Sequence, residues 1–149
     1  MCSKCKQDCL DLSFPATQAQ ASAGIVTLSA RLAAYGLPVS KADDVKIALA
    51  EAINNVVKHA YAGIAPADIQ IDCCLCKDKL VIQITDTGKP MPNLRLPDGP
   101  PAPVDAPLQD LPEGGFGWHL IRQLTSNIQY ERRDGGNRLC LRFDFDEAP

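Results

Sequence analysis

No long basic run occurs in this sequence, and its 15 Lys and Arg are outnumbered by 18 Asp and Glu, for a formal net charge of -3. Without a concentrated positive field, direct nucleic-acid binding has no electrostatic support. A bilayer-spanning run is missing too. Residues 12–30 carry no charge, but Pro15, Thr17, Gln18, Gln20 and Ser22 make them too polar to cross a membrane. No apolar stretch precedes a small-residue cleavage site, so no signal peptide is expected and the expected compartment is the cytoplasm. The CxxC of Cys2 and Cys5 has no second CxxC after it, and both His lie far away in sequence. Half a zinc site is one reading of it; free thiols, among 7 cysteines that include Cys9, Cys73, Cys74 and Cys76, are favoured. No internal repeat is found. What remains is a chain of 149 residues, 46% hydrophobic, expected to form one domain over residues 1–149.

The stretch DDVKIALAEAINNVVKHAY, from Asp43 to Tyr61, organises the rest. Val45, Ala48, Leu49, Ala52, Ile53, Val56, Val57 and Ala60 recur at helical spacing, the apolar stripe of an amphipathic helix. Ser40 to Asp43 has the form of a capping box, which predicts the helix start there. Glu51, Asn55 and His59 are four apart and form a polar row along one edge of the stripe. Asn54-Asn55 is poorly suited to a helix interior on propensity alone.

Around this helix the chain alternates strand and helix patterns. LDLSF at 10–14 predicts a short strand, and Pro15 is expected to open a helix running to about Tyr35. Arg31 is the only charge of that helix, which reads equally as a covered helix or as a partner-contact face. IQIDCCLC at 69–76 and LVIQIT at 80–85 alternate, with a tight turn at Lys77-Asp78 between them. Asp86 continues the phase of Leu80, Ile82 and Ile84, so its carboxylate is expected on the covered side of the sheet, where a charge needs a partner. Residues 88–112 are Pro-rich and aperiodic, the signature of a functional lid or a disordered segment. EGGFG then leads into WHLIRQLTSN, a short helix expected to turn Leu120, Ile121 and Leu124 inward. Ile128 to Arg133 is a predicted strand, DGGN at 134–137 a hairpin turn, and Leu139, Leu141, Phe143 and Phe145 the covered face of a last strand. The expected fold is α+β: a two-layer sandwich with a mixed, mostly antiparallel sheet of about five strands and three helices on one face.

Three stretches carry chemistry. Gly115-x-Gly117 at a helix start lets backbone N–H groups approach a phosphate at the positive helix end, although a GxG alone also marks a plain turn. Asp86 at a strand end can accept from an exocyclic amine such as adenine's, or can cap a turn; Gly88 beside it allows close approach. Asn55 offers a neutral oxygen suited to Mg²⁺. Glu51, one helical turn earlier, can take a proton from an attacking hydroxyl or water, or can be a solvated surface residue.

Taken together, ExxNNxxxHAY, DTG, a lid, EGGFGWHLI and RRDGGNRLCLRF resemble the GHKL (histidine kinase-like) ATP-binding fold, and within it the stand-alone serine/threonine kinases that act as anti-sigma factors. The resemblance covers nearly all of the chain from Leu10 to Phe145. It implies Glu51 as catalytic base and Asn55 as the Mg²⁺ ligand. It implies ATP contacts through Asp86 and Gly88 at the adenine and Gly115 and Gly117 at the phosphates. His59 and Lys89 join the cofactor-binding set, with His59 read as a packing or positioning residue. Residues 89–112 become the ATP lid, in which Lys89 and Arg95 are the obvious basic residues. Pro90 stands where the family's first glycine box often has its second Gly, which stiffens the root of the lid. The implied partners are a small anti-sigma-factor antagonist, phosphorylated on Ser or Thr, and a sigma factor or analogous regulator; a homodimer is expected. A non-catalytic ATP-binding partner switch and a plain ATPase domain are the competing readings.

Overall fold

The computed structural model describes residues 7–96 and 115–145. Cys2, Cys5, Glu113-Gly114 and the expected lid beyond Leu96 lie outside them. The elements in chain order are β1 (Gln7–Pro15), α1 (Gln18–Ala34), α2 (Val39–Asn55), a π-helical turn (Val56–Ala60), β2 (Asp68–Cys76) and β3 (Lys79–Asp86). After a 3₁₀ turn (Pro92–Leu94) come α3 (Gly115–Leu124), β4 (Asn127–Arg133) and β5 (Gly136–Asp144). The strands form one five-stranded sheet in the order β1-β2-β3-β5-β4, and every neighbouring pair is antiparallel. This is the expected α+β layering of a five-stranded sheet with three helices.

Strand alternation explains how the core is built. Ile71 of β2 lies opposite Ile84 of β3, and Ile84 lies opposite Leu139 of β5; Cys73, Ile82 and Leu141 make the next row. All six are buried, together with Leu28 and Leu32 of α1, Leu49 and Ile53 of α2 and Ile121 of α3. Burying a large aliphatic side chain is worth about 1.5–3 kcal/mol, so these rows supply most of the drive to form the sandwich.

Element boundaries and facings differ from expectation in several places. Pro15 ends β1 instead of opening α1; β1 is an edge strand, where a missing N–H is tolerated, and the Thr17 hydroxyl accepts the Gln20 N–H as the actual cap. Helix α2 starts at Val39 with no side-chain cap, so no capping box forms at Ser40; buried Leu37, whose N–H reaches the Leu32 carbonyl, fixes the turn and the helix follows at once. In α3, the Trp118 and Ile121 side chains are buried, while Leu120 and Leu124, also expected inward, are only half-buried. The last hairpin turn is Asp134-Gly135 alone, both at positive φ, and Gly136 and Asn137 already belong to β5. Arg31 donates to the Asp11 carbonyl of β1, which ties α1 to the sheet edge and gives its only charge a structural partner.

Candidate nucleotide site

Helix α2 does not end as a regular helix. Its last turn, directly after Asn55, widens to π geometry over Val56–Ala60, a distortion that is frequent at functional sites. The Ala60 carbonyl, free as at any helix end, accepts the Lys89 N–H at 2.7 Å from the loop after β3. Tyr61, buried beside it, takes the Thr87 N–H on its hydroxyl at 3.1 Å. The strand end Asp86-Thr87-Gly88 is thus clamped against the end of the helix. Gly88 has to be glycine: a Cβ there would lie 2.5 Å from the Ala60 carbonyl oxygen and 2.8 Å from its carbon. Backbone cannot step aside as a flexible side chain can. Gly88→Ala is expected to destabilise the protein by about 2–3 kcal/mol and to lower Tm by roughly 5–10 °C. A melt indistinguishable from the parent would show that this packing is not what the fold depends on.

Between the helix end and the sheet lies a cavity of about 460 Å³. Its lining includes Asn55 and His59 from the helix, Asp86, Lys89 and Met91 from the strand end and loop, Trp118 from α3, and Tyr130 and Asn137 from β4 and β5. A more open concavity of about 590 Å³ wraps the β4 edge around Gln129, Glu131 and Arg138. None of the expected site residues lines it, so the smaller, more enclosed cavity is the candidate site.

The polar end of the cavity is one row of the sheet's covered face. Asp86 of β3, Asn137 of β5 and Arg132 of β4 are register neighbours. Asp86 is 3% exposed and Asn137 6%. Asn137 donates through Nδ2 to Asp86 Oδ1 and to the Lys89 carbonyl, both at 2.8 Å. Its Oδ1 accepts from the Tyr130 hydroxyl at 2.5 Å and from Arg132 at 3.2 Å. Every hydrogen-bonding valence of the amide is used. Arg132 also donates to the Gly88 carbonyl, and Tyr130 accepts the Met91 N–H. Asp86 Oδ1 receives a second bond from the Gly88 N–H at 2.8 Å. Oδ2 takes no hydrogen bond from the described residues and is available to a ligand amine. Burial pushes the Asp86 carboxyl above its ordinary range, against the opposing pull of Asn137, the Gly88 N–H and the Arg132 charge.

At the other end, α3 begins against α2. A Cβ on Gly117 would lie 2.8 Å from Glu51 Oε2 and 3.8 Å from Asn55 Nδ2. The first turn of α3, the positive end of the helix dipole, therefore meets the Glu51/Asn55 edge directly. Gly115 and Gly117 lie inside that first turn and not ahead of it, because α3 begins at Gly115 and not at Trp118. Asn55 Nδ2 is buried with no hydrogen-bond partner among the described residues. A buried amide normally finds one, so this orphaned group fits a site completed by a ligand. Its two terminal atoms exchange by a simple flip, which makes an oxygen available to a hard cation. Glu51 forms no ion pair among the described residues.

Of the expected residues, Asn55, Asp86, Lys89 and His59 line the cavity, Gly88 and Gly117 are the close-approach points behind it, and Glu51 adjoins Gly117. His59 is exposed where it lines the cavity. The Lys89 amine is tied to the Ala62 carbonyl at 2.5 Å. Sequence reading missed Asn137, Tyr130, Arg132 and Trp118. The signal for Asn137 was present: Asp-Gly as a complete two-residue turn puts Asn137 in the strand, in phase with Leu139 and Leu141.

A two-layer sandwich with this helix-edge, strand-end and glycine-turn arrangement is a nucleotide-binding domain of the histidine kinase type. The family model for the histidine kinase-like ATPase domain matches residues 14–143, and the chain belongs to that family. Within it, the chain is 30% identical over 130 residues to the serine-protein kinase RsbW of Oceanobacillus iheyensis, covering 86% of this chain and 82% of that protein. It is equally 30% identical to RsbW of Listeria monocytogenes over 129 residues (86% and 82%) and of Bacillus cereus over 136 residues (90% and 84%). Among solved structures, the RsbU and RsbW domains of Rv1364c from Mycobacterium tuberculosis share the fold at a TM-score of 0.65 and 20% identity, over 92% of this chain and 32% of that one. The histidine kinase domain of the Erythrobacter litoralis blue-light activated kinase does so at 0.53 and 15%, over 84% and 61%. The chain is an ATP-using protein serine/threonine kinase of the RsbW group, as the motif resemblance implied. Among the described residues no helix is long and apolar enough to cross a membrane.

Proposed function

We propose that this protein is an anti-sigma-factor kinase that transfers the γ-phosphoryl group of ATP to a Ser or Thr of a small anti-sigma-factor antagonist. In its other state it holds a sigma factor or an analogous regulator. The observation that carries this reading is the pairing of two incomplete groups at opposite ends of one cavity: the unpartnered Asn55 amide and the half-used Asp86 carboxylate.

Asp86 Oδ2 accepts the adenine amine while the Asn137 network keeps the carboxylate from turning. The N–H groups of the Gly115–Gly117 turn receive phosphate oxygens. Glu51 accepts the proton of the incoming Ser or Thr hydroxyl. Phosphoryl transfer depends mainly on positioning and charge stabilisation, so these few groups suffice. Mg²⁺, held by Asn55, would neutralise phosphate charge. Gly88, His59 and Lys89 border the nucleotide, and residues 89–112 serve as the lid of a single ATP-binding domain. We place the protein in the cytoplasm as a homodimer with protein partners and no direct nucleic-acid contact.

The test is transfer of label from γ-labelled ATP to a candidate antagonist. The expected product is phosphoserine or phosphothreonine on the antagonist, with transfer by Asn55→Ala reduced at least about 100-fold through loss of charge stabilisation. Undiminished transfer by that variant contradicts the assignment. Nucleotide binding without transfer to any antagonist would select the non-catalytic switch, and steady hydrolysis without a partner the plain ATPase.

A further inference from the structure

The nucleotide site uses none of the cysteines, yet two of them face each other across the sheet edge. Cys9 of β1 and Cys74 of β2 are register partners, and their Sγ atoms are 2.6 Å apart. Directly opposed residues of an antiparallel pair have Cα atoms about 4.5–5.5 Å apart, inside the span of about 4.4–6.8 Å that a disulfide bridges. Strand alternation puts both side chains on the open face, away from the helices and the cavity. Cys9 is exposed and Cys74 half-buried. The adjacent Cys73 is buried on the covered face, so it does not compete for Cys9.

We propose that Cys9 and Cys74 are a reversible dithiol–disulfide site, oxidised by small disulfides of the glutathione type, which clips the edge strand β1 covalently to β2. The more exposed Cys9, as thiolate, attacks one sulfur of the small disulfide; its S–S bond breaks and one small thiolate leaves and takes up a proton. Cys74 then gives its proton to solvent and attacks the Cys9 sulfur of the mixed disulfide, expelling the second small thiolate. Two protein thiols and one small disulfide become one protein disulfide and two small thiols, with two electrons passing to the oxidant. In the dithiol, burial and then the hydrogen bond with Cys9 push the Cys74 thiol up to about 11; the attacking group is the Cys74 thiolate, so ring closure accelerates as pH rises.

The ring so closed joins residues 65 apart and encloses α1 and α2, with Glu51 and Asn55. Such a bridge stabilises the fold by restricting the unfolded chain. It stands on the sheet face opposite the cavity and is independent of what the cavity binds.

The full chain is equilibrated in glutathione buffers of increasing oxidation, remaining thiols are alkylated, and the digest is mapped by mass spectrometry. A Cys9–Cys74 linked peptide is expected to grow with oxidation and to vanish under dithiothreitol, with Tm rising by roughly 5–15 °C in the oxidised chain. Cys9→Ser is expected to abolish both changes. A Cys2→Ser/Cys5→Ser chain, which lacks the other N-terminal thiols, is expected to keep them. Full alkylation of Cys9 and Cys74 in the most oxidising buffer overturns the proposal. So does a predominance of glutathione adducts, or of a bridge from either residue to another cysteine.

Discussion

Asp86→Asn is expected to bind adenine nucleotide at least about 100-fold more weakly than the parent, while melting no lower at neutral pH. The two effects have one origin. Asp86 is buried, and burial raises its carboxyl above the ordinary value of 3.8 in spite of Asn137, Gly88 and Arg132. An acid whose pKa is raised by folding binds its proton more tightly in the folded chain than in the unfolded one. Its contribution to stability is complete below pH 3.8 and is lost as pH rises through the folded value. Above that folded value the fold carries an ionised buried group at a net cost. Asn removes that charge, keeps an oxygen for Gly88 and Asn137, and is expected to leave stability unchanged or higher by up to about 2 kcal/mol. The same oxygen assignment turns the Asn amine toward the ligand, where Oδ2 stood. Donor then meets donor, and a charge-assisted hydrogen bond worth about 1.5–3 kcal/mol is replaced by a repulsion. In the parent, nucleotide affinity is expected to fall as the pH is lowered through the raised Asp86 value. Thermal melts and calorimetry on both proteins check this. Parental affinity in the variant, or a large loss of stability at pH 7, removes Asp86 from the site.

The second large effect is on turnover. Glu51→Gln is expected to reduce phosphoryl transfer by about 10²–10⁴, the usual range for removing a general base. Nucleotide affinity should stay within about threefold, since the change leaves the binding contacts in place. The carboxylate lies against Gly117 at the start of α3, a helix turn from Asn55, without an ion pair among the described residues to hold it. Gln matches its size and can still accept hydrogen bonds, but it cannot accept the hydroxyl proton. Single-turnover transfer assays, run beside binding titrations, separate the two quantities. A variant that transfers as fast as the parent shows that Glu51 is not the base.

Sheet and helix periodicity made most of the fold legible. The alternation of 69–76, 80–85 and 139–143 specified which face of each strand is buried, and the α2 stripe specified what covers it. That phase also puts Asp86 on the covered side, where it is buried. Boundaries were less legible, because tertiary anchors set them. Leu37 decides where α2 begins, and an edge position lets β1 absorb Pro15. Half of the polar network was hidden for a different reason. Asn137, Tyr130 and Arg132 sit on strands that read as ordinary, and only cross-strand register, which is non-local, aligns them with Asp86. The π turn after Asn55 leaves no mark in local propensity; it lies where the Gly88–Lys89 loop packs on Ala60.

One pocket, built from α2, the end of β3 and the start of α3, is expected to hold a magnesium nucleotide. Calorimetric titration of the parent chain with Mg·ATP and Mg·ADP tests it most directly. One site per chain is expected, in the micromolar range, weakened when Mg²⁺ is chelated and weakened further in Asp86→Asn. Absence of any binding heat with both nucleotides, together with failure to displace a fluorescent adenine nucleotide, would contradict it.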